Sequence, residues 1–343
     1  MQIRGKELGR EPYVIAEIGC NHCGQESRAA DLIYMAADCG VNAVKFQQRT
    51  PRRLFAASEH GKPYDSPNSY GKTYLEHREA LDLDEDALCY FRDLSAGANV
   101  DFIVTPFTEY DVDIVDRVGV DAVKVSSFDV ENIPLLHLVA DIGKPVILST
   151  GGATYEDIDR ALDWFPFGNI ALLHCVSKYP TSDSDLNLHN ILGLKEKYPK
   201  YQIGLSTHHP GIDPIKYAYM LGARVFEFHI TDNRSNKGTD HSFSLEPKGI
   251  REICEALKRI PVMLGAKERP AEREYNPALN KMAKSYYAAE TILEGTKLGS
   301  DMAERLAPRS EDGFLPYELG EFCGKRAKRT INQGELLMRE DVY

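Results

Sequence analysis

The stretch "YVIAEIGCNHCG", Tyr13–Gly24, decides how the rest of the chain is read. It begins as a short apolar run and carries Glu17 in its last half. It then presents Cys20 and Cys23 in C-x-x-C spacing around His22. Such spacing can mark half of a metal site, a redox pair, or a strand end with incidental cysteines. No second C-x-x-C follows to complete a four-thiolate site, so the strand end is favoured. Nor is "IGCNHCG" the Gly-rich phosphate loop that usually follows the first strand of a doubly wound open sheet. A closed barrel therefore becomes the leading architecture.

Seven further apolar runs extend the pattern: Asn42–Gln47, Asp101–Phe107, Ala122–Ser127, Pro145–Thr150, Ile170–Cys175, Gln202–Thr207 and Val225–Ile230. Segments with helical spacing lie between them, among them Arg28–Cys39, Glu85–Ala98, Tyr155–Phe165 and Leu188–Lys197. Eight strand–helix units ending near Arg259 match the count and length of a TIM (β/α)8 barrel.

Polar residues strengthen that expectation. Glu17, Lys45, Gln47, Thr105, Lys124, Ser127, Ser149, His174, Ser206, His208, Glu227 and His229 all fall near the ends of these strands. A buried Lys or Glu is expensive unless paired, and a single strand-end polar residue is normally a cap. Eight strands ending this way point instead to one catalytic mouth.

Composition narrows the class. The 343 residues are 43% hydrophobic and 27% charged, as in a soluble globular protein of one large and one small domain. No run approaches the ~20 apolar residues of a membrane span, and no charged-then-apolar leader opens the chain. Seven scattered cysteines read as reduced thiols, so a cytoplasmic location is expected. The net charge of −11 argues against a general nucleic-acid binder. The basic run "GKRAKR", Gly324–Arg329, is a phosphate patch or, more simply, a solvated strand edge.

Past Pro261 the rhythm breaks. The expected layout is a barrel domain over 1–263, a charged and proline-bearing linker over 264–283, and a small domain over 284–343. Within the small domain "TILEGTKL", Thr291–Leu298, matches "TINQGELL", Thr330–Leu337. Each copy reads as a strand, a Gly turn and a strand followed by an acidic residue, so a pseudo-symmetric β-rich fold is expected.

In order along the chain, "AEIGCNH" (Ala16–His22), "AVKFQ" (Ala43–Gln47), "VTPF" (Val104–Phe107), "VKVSS" (Val123–Ser127) and "STGGAT" (Ser149–Thr154) stand at strand ends. "LLHCVSKYPT" (Leu172–Thr181), "GLSTHH" (Gly204–His209), "FEFHIT" (Phe226–Thr231) and "GTDHSFSLEP" (Gly238–Pro247) continue the series. Over nearly its whole length the chain resembles the N-acetylneuraminate (sialic acid) synthase family: a TIM barrel followed by an antifreeze-like (SAF, β-clip) domain. The resemblance implies condensation of phosphoenolpyruvate with an open-chain N-acetylamino-sugar aldehyde, N-acetylmannosamine-like, to a nonulosonic acid and phosphate.

That implied chemistry assigns roles. A divalent metal, manganese with magnesium or cobalt as substitutes, is expected between His208 and His229 to polarise the aldehyde oxygen. Lys45, Thr105, Lys124, Ser127, Ser149, Tyr179 and Ser206 are expected to hold phosphoenolpyruvate. Glu17 is the candidate base for water, with His229 and Glu227 beside it in the catalytic set. Gln47, Asp129, Asp240 and Arg309 are expected near the sugar, Asp129 being equally readable as a solvated loop acid. The resemblance also implies a homodimer with exchanged C-terminal domains.

Three departures bear on the substrate. Thr207 stands where many members have Asp, which removes a partner beside a metal ligand. Ala307 occupies the usual arginine position in "LAPRSEDG", so that either Arg309 replaces it or the sugar differs at its N-acetyl substituent, and Ser177 stands where Asn is common. Two other readings stay open. One is a 2-keto-3-deoxy sugar acid synthase using another aldehyde. The other is a noncatalytic carbohydrate-binding relative, because fold does not fix function.

Overall fold

A computed structural model describes residues 1–165, 169–266 and 276–343. It divides into two compact units, Met1–Leu264 and Gly265–Tyr343.

The first unit begins with a two-stranded antiparallel hairpin, β1 (Gln2–Ile3) and β2 (Lys6–Glu7). Eight parallel strands follow: β3 (Tyr13–Glu17), β4 (Ala43–Gln48), β5 (Asp101–Pro106), β6 (Ala122–Val125), β7 (Val146–Ser149), β8 (Ile170–Cys175), β9 (Gln202–Thr207) and β10 (Val225–His229). They hydrogen-bond in sequence order, and β10 closes on β3. The barrel expected from the sequence is thus observed. The four helices expected from the spacing lie at Glu26–Asp38, Glu85–Gly97, Tyr155–Leu162 and Asn190–Lys197. Local chemistry starts several of the helices: the side chains of Asp84, Thr108 and Thr154 each accept from a backbone N–H of the first turn.

Alternation along the strands divides the core in two. Val14, Ala16, Val44, Phe46, Val104 and Phe226 pack outward against the helices. Ile15, Ala43, Ile103, Ala122, Ile147 and Val225 pack inward as an apolar layer, closed from below by Ile3 and Leu8 next to the hairpin. At Gly204 a Cβ would lie 2.2 Å from the Val225 carbonyl oxygen, so only glycine lets β9 and β10 approach there. Two residues on from the apolar layer, the same inward direction carries Glu17, Lys45, Thr105, Lys124, Ser149, Ser206 and Glu227. The period-2 pleat therefore builds a polar layer directly above an apolar plug.

Of the linker expected over 264–283, residues 267–275 lie outside the described residues. Pro261 falls within the helix Pro247–Leu264, and a capped helix, Pro277–Met282, occupies the described end of that segment. In the second unit, β11 (Ser285–Ala288) and β12 (Ala303–Leu306) form an antiparallel pair. The repeat copies differ from the expected strand–turn–strand form: each makes isolated bridges around a Gly turn instead. Ile292 and Ile331 exchange backbone bonds of 2.8 Å, and Gly295 and Gly334 donate to Ala327 and Ala288 respectively. The copies satisfy each other's backbone two groups at a time, which leaves no long strand. In the basic run, Arg329 pairs with Asp341 and Glu335, while Arg326 and Lys328 donate to backbone carbonyls. These residues are tied into the small unit itself.

Candidate active site

At the carboxyl ends of the barrel strands a cleft of about 650 Å³ opens in the first unit. Fourteen of the residues expected in the site line it: Glu17, Lys45, Gln47, Thr105, Lys124, Ser127, Asp129, Ser149, Tyr179, Ser206, His208, Glu227, His229 and Asp240. Arg309 belongs to the second unit, where its guanidinium pairs with Glu311 at 2.7 Å. His174, also at a strand end, is structural: its Nε2 lies 2.7 Å from the Leu186 carbonyl oxygen.

The floor of the cleft is an alternating charge cluster. Glu17 and Lys45 are directly paired across β3 and β4, and Lys45 Nζ lies 2.8 Å from Glu17 Oε2. Lys45 Nζ is also 3.2 Å from Thr105 Oγ1 and 3.6 Å from Glu227 Oε1. Lys124 Nζ approaches Glu227 Oε2 at 4.0 Å and donates to the Val125 carbonyl oxygen at 2.8 Å. Ser206 Oγ donates to Glu227 at 3.3 Å, and Gln47 Nε2 donates to Glu17 at 2.5 Å.

The neighbouring lysines separate the two carboxylates chemically. Burial raises Glu17 above its ordinary carboxylate range despite Lys45. Burial would raise Glu227 too, but Lys124 and Lys45 hold it below that range. Burial pulls Lys45 down, yet Glu17 and Glu227 keep it above the usual lysine value. Lys124 is lowered by burial, with Glu227 opposing and Lys45 assisting. The site thus holds one carboxylate poised to take a proton and one kept ionised between two cations.

Above the floor stand two imidazoles on adjacent strand ends, their ring centroids 5.3 Å apart. His208 Nδ1 meets the Val176 carbonyl oxygen at 3.0 Å, which leaves Nε2 for another partner. His229 Nδ1 is buried without a hydrogen bond and lies 3.6 Å from Asp240 Oδ2. Burial lowers His208 to about 4 and lowers His229 as well, so both rings are neutral. Neutral rings with unused nitrogens fit a divalent metal. Among the described residues no set of three or more His, Cys, Asp or Glu gathers as ligands, so water and substrate oxygens would complete the shell.

Several neighbours act through position. Asp129 caps the turn after β6, accepting from Ser126 Oγ at 2.9 Å and Asn132 Nδ2 at 3.1 Å, and burial raises it. It is buried rather than solvated. Asn21 donates to the Ile230 carbonyl oxygen and to Ser244, tying the first strand end to the last. Thr207, at the departure beside His208, accepts from the His209 N–H at 3.2 Å. Cys20 enters the cleft wall, whereas Cys23 Sγ sits 3.5 Å from His241 Nε2. The C-x-x-C pair is not a shared site.

The sequence reading missed the wall formed by residues 49–78, including Arg49, Leu54, Phe55, Asn68, Tyr74 and Arg78. The signal available was the cluster of basic and aromatic residues in the long interval between β4 and the helix Glu85–Gly97.

Residues 32–269 match the model of the NeuB family. The chain is 31% identical to an N-acetylneuraminate-9-phosphate synthase of Drosophila melanogaster, covering 96% of this chain and 95% of that protein. It is 30% identical to an N,N'-diacetyllegionaminic acid synthase of Campylobacter jejuni, covering 96% and 99%. Among solved structures, the N-acetylneuraminic acid (sialic acid) synthetase of Leptospira borgpetersenii superposes with a TM-score of 0.72 at 30% identity, covering 80% of this chain and 93% of that one. No helix among the described residues is long and apolar enough to cross a membrane.

Proposed function

Because the chain belongs to the NeuB family, we propose that its barrel cleft condenses phosphoenolpyruvate with an open-chain N-acetylamino-sugar aldehyde to give a nonulosonic acid and phosphate. The observation that carries this is the floor itself: two buried lysines interleaved with two buried carboxylates of opposite pKa tendency, beneath two neutral imidazoles.

In this reading the phosphate and carboxylate of phosphoenolpyruvate bind Lys45, Thr105, Lys124, Ser127, Ser149, Tyr179 and Ser206. Gln47, Asp129 and Asp240 hold the sugar chain. A divalent metal held by His208 and His229, manganese with magnesium or cobalt as substitutes, would polarise the aldehyde oxygen. The enol C3 forms a bond to the aldehyde carbon and water adds at C2; one water proton passes by way of Glu17 and ends on the aldehyde oxygen, and the other leaves with phosphate as the C2–O bond breaks and the C2 carbonyl forms. One phosphoenolpyruvate, one aldehyde and one water thus give one keto acid and one inorganic phosphate. Glu227, kept ionised by Lys45 and Lys124, stabilises the positive charge developing at C2. Such phosphorylated metabolites suit a cytoplasmic enzyme.

Incubation with phosphoenolpyruvate, manganese and a panel of amino-sugar aldehydes tests the reading. Phosphate release that needs both metal and aldehyde is expected. Release without aldehyde, or none with any aldehyde, would reject it.

We further infer a homodimer with exchanged C-terminal domains, in which Arg309 serves the cleft of the other chain. Glu17→Ala and Arg309→Ala chains, each inactive alone, should regain about a quarter of full activity when exchanged at equal amounts: half the dimers are mixed, each with one intact site. Confirmed subunit exchange without recovery, or an active monomer, contradicts this assembly.

A further inference from the structure

One inward position of the polar layer has no part in the condensation. Where the other barrel strands carry Glu17, Lys45, Thr105, Lys124, Ser149, Ser206 and Glu227, β8 carries Cys175. The pleat fixes this choice. Ala171 and Leu173 point inward, so the next inward residue of β8 is Cys175, and His174 turns away to the Leu186 carbonyl oxygen. Cys175 lines the cleft, is 6% exposed, and pairs directly with Ser206 across β8 and β9.

A free cysteine in a protein core usually behaves as a small apolar group. The surroundings of Cys175 are polar instead. The hydroxyls of Ser206 and Ser127 lie within hydrogen-bonding range of its sulfur, and Lys124 and Tyr179 stand near enough to feel its charge. All four belong to the set assigned to phosphoenolpyruvate. A fifth member, Ser149 on neighbouring β7, has a buried hydroxyl with no hydrogen-bond partner, a demand that the oxygen atoms of an anion would meet. Burial pushes the Cys175 thiol up, against Lys124, Ser206 and Ser127. The sulfur therefore keeps its proton at neutral pH and adds no negative charge where an anion binds.

The hydrogen bonds around the thiol have one direction. Ser127 Oγ accepts from the Gly151 N–H at 2.9 Å, which leaves the Ser127 proton free to donate. Ser206 gives its proton to Glu227 at 3.3 Å, which leaves the Ser206 oxygen free to accept. A protonated thiol between them accepts from Ser127 and donates to Ser206. One chain thus runs from Ser127 through Cys175 and Ser206 to the ionised Glu227. A Cβ at Gly151 would stand 2.8 Å from Ser127 Oγ and 3.2 Å from the Cys175 carbonyl oxygen, so glycine lets the loop after β7 seat against this chain. Sulfur is a weak acceptor. A phosphate or carboxylate oxygen arriving at the floor makes a stronger bond and takes the Ser127 proton from the thiol.

Resting on the anion-binding role given to this floor above, we propose that Cys175 is a positioning residue for phosphoenolpyruvate. Its thiol links Ser127 to Ser206 and sets the Ser127 hydroxyl toward the bound anion.

Calorimetry of phosphoenolpyruvate binding to the full-length protein, with manganese present and aldehyde absent, reads this role apart from turnover. Cys175→Ala removes the link and should weaken binding about tenfold, whereas Cys175→Ser keeps a donor and an acceptor and should restore it to within about threefold. Cys175→Val, which fills the space without hydrogen-bonding, should match Cys175→Ala and keeps the test decisive if the smaller side chain destabilises the barrel. The KM for phosphoenolpyruvate should follow the same order, with kcat and the KM for aldehyde changed less than about twofold. Affinity unchanged in Cys175→Ala and Cys175→Val would overturn the proposal. Equal weakening in Cys175→Ser would overturn it too, because the shape of the sulfur would then matter and its hydrogen bonds would not. An unaltered protein that binds no phosphoenolpyruvate would reject both this role and the condensing reaction. Weakening that Cys175→Ser reverses, in a protein inactive with every aldehyde, would uphold the role and reject the condensing reaction alone.

Discussion

Chelation of divalent metal is expected to lower aldehyde-dependent phosphate release by about 10³-fold, with recovery on adding manganese. The size follows from what stands at the proposed aldehyde site: two imidazoles that are neutral and carry no charge of their own to place on the oxygen. Lys45 and Lys124 are engaged with Glu17 and Glu227 on the floor. His208→Ala should reproduce the loss and also weaken manganese binding measured by calorimetry. Acidity gives a second signature. Burial brings His208 to about 4, and burial likewise lowers His229, so protons compete poorly for these rings. Metal affinity should therefore persist as pH falls from 7 through the ordinary histidine range, and fail only when it nears 4. Full turnover by metal-free protein, or metal binding that halves near pH 6.5, would contradict the assignment.

Lys45→Met is expected to abolish turnover and to lower stability by about 3–5 kcal/mol at neutral pH. The side chain is 5% exposed, and its partners Glu17 and Glu227 are 1% and 7% exposed. Removing the shared cation leaves Glu17 buried without its ion-pair partner and Glu227 with Lys124 alone, 4.0 Å away. Their folded-state pKa values must then rise above those of the unfolded chain, so stability increases as they take up protons. The deficit should be largest near pH 7 and should shrink toward pH 4. Adding Glu17→Gln to Lys45→Met should restore much of the stability and none of the activity. Urea denaturation across that pH range reads both effects. A single variant as stable as the unaltered protein at pH 7 would mean that the cluster is not electrostatically coupled.

The barrel was legible because each strand is a compact apolar run whose inward residue turns polar near its end. Ile15 then Glu17, Ala43 then Lys45, and Ile103 then Thr105 show the rule, and the closed sheet sets these pairs side by side. The hairpin Gln2–Glu7 was not legible, since two-residue strands carry no period. Arg49 and Arg78 escaped for a different reason. Arg49 precedes the helix Pro51–Leu54 and Arg78 lies within the helix Tyr74–Glu79, both too short to show a periodic face, and the wall around them is built by aromatic packing among Phe55, Tyr64, Tyr74 and His77. No fixed spacing announces such a wall. In the small unit the repeat was visible in Ile292 and Ile331, but its form depends on pairing between copies, which neither copy encodes alone.

The condensing reaction makes a demand on oxygen atoms that can be measured directly. With phosphoenolpyruvate, an amino-sugar aldehyde and manganese in 18O-water, mass spectrometry should find keto acid and phosphate in equal amounts, the newly released phosphate free of solvent label. Label in that phosphate, or release that does not depend on the aldehyde, would mean that water attacks phosphorus and that the cleft does not carry out the proposed condensation.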